Sequence, residues 1–86
     1  MKIRFTEQFE EAYNSLTEEN KRLVYKATKL MIEDLRYPGL HVKKMRTSSN
    51  IWEARASLQI RLTFEMMGDI MVLRNVGKHD DVLKNP

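Results

Sequence analysis

The chain changes its hydrophobic period twice, after its first few residues and again near its middle. Lys2 to Phe5 alternates, with Ile3 and Phe5 apolar, which predicts a short first strand. Thr6 then stands as an N-cap, with Glu7 in the following turn favouring the helix dipole. Phe9, Ala12, Tyr13 and Leu16 recur at helical spacing. Thr17 is a second N-cap, followed by Glu18 and Glu19. Leu23, Val24, Ala27, Leu30, Met31 and Leu35 form one apolar stripe over a longer helix. That helix must stop near Tyr37-Pro38-Gly39, because proline restricts the residue before it and glycine favours turns. The pair predicts an antiparallel helical hairpin. Residues 38–50 read as a loop with a basic cluster.

Beyond this loop the period becomes two. Trp52, Ala54 and Ala56 point one way, and Glu53, Arg55 and Ser57 the other. Ile60, Leu62, Phe64 and Met66 oppose Arg61, Thr63 and Glu65. Ile70 to Val76 is apolar on both faces apart from Arg74 and Asn75, so it predicts a central strand. Gly68-Asp69 fits a two-residue hairpin turn. That turn would pair Glu65 with Val72, Thr63 with Arg74 and Arg61 with Val76. The turn at Ser57-Leu58-Gln59 must hold an odd number of residues, since an even loop would mix the two faces. Trp52 then faces Phe64, Ala54 faces Leu62, and Arg55 faces Arg61. The expected fold is α+β: an N-terminal strand and helical hairpin packed on a twisted, mostly antiparallel sheet of about four strands, in one domain spanning residues 1–86.

Composition narrows the functional classes. Eighty-six residues support only a small core. Cysteine is absent, which excludes disulfides and thiolate metal sites. Two distant histidines give no metal-ligand spacing, and no glycine-rich phosphate loop or nucleophile elbow is present. No metal or other cofactor is therefore expected. Nothing approaches the roughly 20 apolar residues of a membrane span, and the first residues lack a secretory pattern; a soluble, cytoplasmic protein with no membrane role is expected.

Net charge is only +3, but it is unevenly placed. Residues 36–61 carry Arg36, Lys43, Lys44, Arg46, Arg55 and Arg61 against Glu53 alone. On the polar face of the strands, Arg55 directly across from Arg61 would be destabilising by roughly 0.2–1 kcal/mol unless compensated. An anionic ligand is one compensation; pairing to Glu53 and Glu65 is the other.

A face with several guanidiniums suits a phosphodiester, because forked donors match phosphate oxygens. Arg61 is the candidate phosphate clamp. His79, just past the last strand, is the candidate general acid or base. Lys43, Lys44, Arg46, Arg55, Arg74 and Lys78 are candidate RNA-backbone contacts. Glu53 is a candidate general base, or a counter-charge to the arginines. Each also has a plainer reading as solvated surface charge, and His41 has no partner motif.

Four segments, in order, resemble the RelE/ParE superfamily of toxins from bacterial type II toxin–antitoxin systems. They are Pro38-Gly39-Leu40-His41-Val42-Lys43-Lys44-Met45, Ile51-Trp52-Glu53-Ala54-Arg55, Arg61-Leu62-Thr63-Phe64 and Val76-Gly77-Lys78-His79-Asp80. The resemblance implies a microbial-ribonuclease-like fold. It also implies a ribosome-dependent endoribonuclease, an mRNA interferase that inhibits translation by 2′-hydroxyl attack on the adjacent phosphate. Under it, Arg61 matches the arginine that stabilises the phosphorane, His79 the general-acid position and Lys44, loosely, a loop lysine. The implied partners are a cognate antitoxin protein, with which it could form a hetero-oligomer, and mRNA on the ribosome. One departure keeps other readings open. RelE-type toxins often carry an aromatic residue after the His79 position, and here no tyrosine or phenylalanine follows Phe64. A ParE-like gyrase inhibitor without enzymatic activity, or an inactive relative that only binds an antitoxin, are the alternatives.

Overall fold

A computed structural model describes residues 1–46 and 50–86. The elements follow the order β1 (Lys2–Phe5), α1 (Glu7–Asn14), α2 (Glu18–Glu33), a short 3-10 turn (Pro38–Leu40), β2 (Lys43–Lys44), β3 (Trp52–Arg55), β4 (Ile60–Met67), β5 (Ile70–Lys78) and α3 (His79–Lys84). Among the described residues the strands form one sheet in the order β1-β5-β4-β3-β2. β1 runs parallel to β5, and the other neighbours are antiparallel. This is the expected α+β architecture.

Both helix starts follow from their caps. The Thr6 hydroxyl accepts the Phe9 N–H at 3.0 Å and donates to the Arg74 carbonyl at 2.8 Å, so one cap also ties α1 to β5. The Thr17 hydroxyl accepts the Asn20 N–H at 3.1 Å. α2 buries Val24, Ala27 and Met31 on one stripe. It ends at Asp34, whose side chain accepts the Arg36 N–H at 2.9 Å and turns the chain before Pro38. The core lies between this hairpin and one sheet face, where Ala54, Leu62, Phe64, Met71 and Leu73 are at most 1% exposed.

The sheet departs from expectation in three places. First, it has five strands rather than about four, because Lys43–Lys44, read as loop, pairs with Glu53 and Trp52 as an edge strand. Residues 47–49 of that expected loop lie outside the described residues. Second, the register of β4 against β5 shifts. Glu65 pairs with Val72 as expected, but Thr63 pairs with Asn75 and Arg61 with Gly77. An irregularity between Thr63 and Phe64 leaves Arg74 as an extra residue in β5. Third, α3 follows β5 without a loop. Acidic Asp80 and Asp81 in its first turn and Lys84 in its last are the dipole signals that could have revealed it.

The β3–β4 register is as expected: Trp52 opposite Phe64, Ala54 opposite Leu62, and Arg55 opposite Arg61. Gly68 takes φ +63° in the β4–β5 turn, a conformation glycine adopts without steric cost.

A cationic row on the open face of the sheet

Directly paired strand residues point to the same face, so the register assembles two rows on the side away from the helical hairpin. One row runs Lys43, Glu53, Thr63, Asn75; the next runs Arg55, Arg61, Gly77. α3 closes one end of this face. Its Val82 is 1% exposed, and a Cβ on Gly77 would lie 3.8 Å from Val82 Cγ2. Glycine opposite Arg61 therefore leaves room between the guanidinium row and the helix.

Each part of these rows is held differently. Arg61 Nη1 donates to the carbonyls of Ser57 and Leu58 at 2.9 and 2.8 Å, which folds the guanidinium back over the β3–β4 turn. Glu53 is 6% exposed and reaches Lys43 Nζ at 3.6 Å. Glu65 is taken by Arg74 at 2.8 Å. Thus the two carboxylates that could have compensated Arg55 and Arg61 are paired with other cations. Among the described residues no carboxylate lies within ion-pair distance of either arginine. Arg55 Nε is buried without a hydrogen-bond partner, and so is the Thr63 hydroxyl.

The electrostatics agree with this geometry. Burial lowers the pKa of Arg61 from its ordinary value, the charge of Arg55 lowers it further, and Glu53 opposes both. Arg61 stays protonated at any physiological pH, so the effect is a positive field that Glu53 offsets only in part, rather than a neutral side chain. Such a pair can be relieved by one anion accepting hydrogen bonds from both guanidiniums.

The expected site residues divide into those this face gathers and those it does not. Arg55, Arg61, Glu53 and Lys43 share it. His79 opens α3, two residues beyond Gly77, and is exposed. Lys44 pairs with Trp52 and so alternates onto the opposite, helix-covered face, where its Nζ lies 5.8 Å from the Trp52 ring centroid. Arg46 is exposed in the turn after buried Met45. Lys78 is the exposed N-cap of α3. Arg74 is engaged by Glu65 and by the Pro86 carbonyl at 3.3 Å, away from the arginine pair. Thr63 and Asn75 were not singled out by the sequence; their place in the Glu53 row is the signal that finds them.

No protein-family profile and no characterised protein matches the sequence. Solved structures do. YafQ from Escherichia coli strain BL21(DE3) superposes with a TM-score of 0.79 at 14% identity, over 93% of this chain and 94% of that one. The chain has the fold of the RelE/ParE superfamily toxins. The RelB–RelE antitoxin–toxin complex from Methanococcus jannaschii gives a TM-score of 0.76 at 16% identity, over 94% and 95% of the two chains. The YoeB/ParE toxin from Agrobacterium tumefaciens gives 0.70 at 18%, over 92% and 99%. At these identities the RelE-like likeness is one of backbone. It spans nearly the full length of both partners in each comparison.

Proposed function

We propose that this protein is the toxin of a type II toxin–antitoxin system, a cytoplasmic, ribosome-dependent mRNA endonuclease. The observation that carries the reading is the Arg55–Arg61 pair, opposed on an open sheet face and without a carboxylate partner among the described residues. The toxin fold supplies the context.

The chemistry requires no covalent enzyme intermediate. The RNA 2′-oxygen attacks the neighbouring phosphorus, the bond from phosphorus to the 5′-oxygen breaks, and a 2′,3′-cyclic phosphate and a 5′-hydroxyl result. Negative charge builds on the equatorial phosphate oxygens, where Arg61 and Arg55 donate. Glu53 is the candidate acceptor of the 2′-hydroxyl proton, and His79 the candidate donor to the leaving 5′-oxygen. Lys43 holds Glu53, and Arg46 and Lys78 lie exposed to the RNA backbone. An antitoxin protein is the expected partner, in keeping with neighbours solved as antitoxin–toxin complexes.

Primer extension on a reporter mRNA after brief induction tests this. Cuts within translated codons that vanish in the Arg61→Ala/His79→Ala double variant support the nuclease. A second reading, binding to DNA gyrase without RNA cleavage, is favoured by the absence of any tyrosine or phenylalanine after Phe64. Growth arrest with intact mRNA would establish a non-nuclease toxin. Unimpeded growth during soluble expression would point to an inactive relative.

A further inference from the structure

On the helix-covered side of the sheet, beyond the C-terminal end of α2, lies an open pocket of about 520 Å³. Leu35, Val42 and Phe64 contribute apolar surface to it, and Tyr37 and Trp52 line it with aromatic rings. Tyr37 is 47% exposed. Arg36 and His41 are the basic side chains in its lining, and the Asp34 carboxylate lies beside it, accepting the Arg36 N–H at 2.9 Å. Lys44 adds a third basic group, its ammonium over the Trp52 ring. His41 has a left-handed backbone, φ 47°, uncommon outside glycine. None of these features serves the arginine row on the other face.

We infer that this pocket binds a nucleobase of single-stranded RNA flanking the segment held on the open face. The inference rests on the reading of that face as an RNA site. Two observations select RNA. The first is charge: two cations and an imidazole, against the single neighbouring carboxylate of Asp34, beside the exposed Tyr37 ring and the half-buried Trp52 ring make the combination that takes up single strands, phosphate to cation and base to ring. The second is continuity. In the two-residue edge strand β2, Lys43 points to the open face and Lys44 to the opposite face, over the Trp52 ring, so adjacent residues carry positive charge around the rim of the sheet. From Arg61 on β4 to Lys44 on β2 is two strand spacings across and three residues along, roughly 14 Å between backbones, within the span of a few nucleotides.

Trp52 is the single tryptophan of the chain, so its emission reports on the pocket directly. The folded protein is titrated with a short single-stranded 2′-O-methyl oligonucleotide, which cannot be cut because it lacks the attacking hydroxyl. Saturable quenching is expected. Tyr37→Ala should weaken binding about tenfold, and Lys44→Ala should lower the slope of log affinity against log salt by about 0.7. Both residues are exposed, and melting curves verify that the variants fold. Arg61→Ala should retain saturable quenching, at weaker affinity. Absence of quenching, or quenching indifferent to both pocket substitutions, overturns the inference. Quenching by an acidic peptide with a large apolar side chain, but not by the oligonucleotide, also overturns it and makes the pocket a protein-docking surface. Failure of mRNA cleavage in the wild type, with the Trp52 response as described, would instead refute the nuclease and leave the pocket standing.

Discussion

Arg55 and Arg61 face one another directly across β3 and β4, while the carboxylates on the same face of those strands, Glu53 and Glu65, are 3.6 and 2.8 Å from Lys43 and Arg74. A folded-state cation whose pKa is lowered disfavours folding wherever it is protonated, which for arginine is the whole accessible pH range. The pair is thus a local conflict in an otherwise consistent small fold, of the kind concentrated at binding sites.

Removing one charge should relieve that conflict. Arg55→Gln is expected to stabilise the protein by roughly 0.2–1 kcal/mol in urea denaturation, while weakening RNA cleavage. A loss of stability with unchanged cleavage would mean that Arg55 is structural.

An anion should do the same without mutation. Inorganic phosphate is expected to raise the melting temperature of the wild type, through preferential binding to the folded state. The rise should be smaller in Arg61→Ala. Equal rises in both proteins would assign the effect to general salt rather than to this face.

The two ends of the Lys43–Glu53 pair should not be equivalent. Lys43 is exposed, so Lys43→Ala is expected to cost under about 1 kcal/mol. Glu53 is buried beneath Lys43 and is the carboxylate that offsets the lowered pKa of Arg61. Glu53→Ala should therefore cost more, about 1–3 kcal/mol, because it leaves cations without their counter-charge. Chemical denaturation of the two variants reads the difference directly.

Gly77→Ala tests the space in front of Arg61. A methyl group there would meet Val82 only at ordinary contact distance, but the backbone φ of +157° disfavours an L side chain. A loss of roughly 1–3 kcal/mol is expected from the backbone alone. A neutral effect in thermal melts would show that β5 relaxes at this position.

The β3–β4 half of the site was legible because face alternation and loop parity together leave one register. Those two constraints alone put Arg55 opposite Arg61. They do not suffice on β4–β5, where Arg74 enters as an extra residue and moves the partner of Arg61 from Val76 to Gly77. A bulge has no signature in an alternation pattern, since both neighbours of Arg74 are compatible with either face. β2 was hidden for a different reason: two lysines in sequence carry no alternation of their own, and only the pairing to Glu53 and Trp52 makes them a strand. The burial of Glu53 and Thr63 depends on an edge strand and a terminal helix that the period-two reading did not contain.

On the reading proposed above, the open arginine face cuts a phosphodiester by 2′-hydroxyl attack. The most direct test is end-group analysis of mRNA incubated with purified protein on programmed ribosomes. Fragments ending in a 2′,3′-cyclic phosphate and beginning with a 5′-hydroxyl, formed on the order of 10²–10³ more slowly by Arg61→Ala, are the predicted result. Uncut mRNA, or cleavage at the wild-type rate by Arg61→Ala, would contradict it.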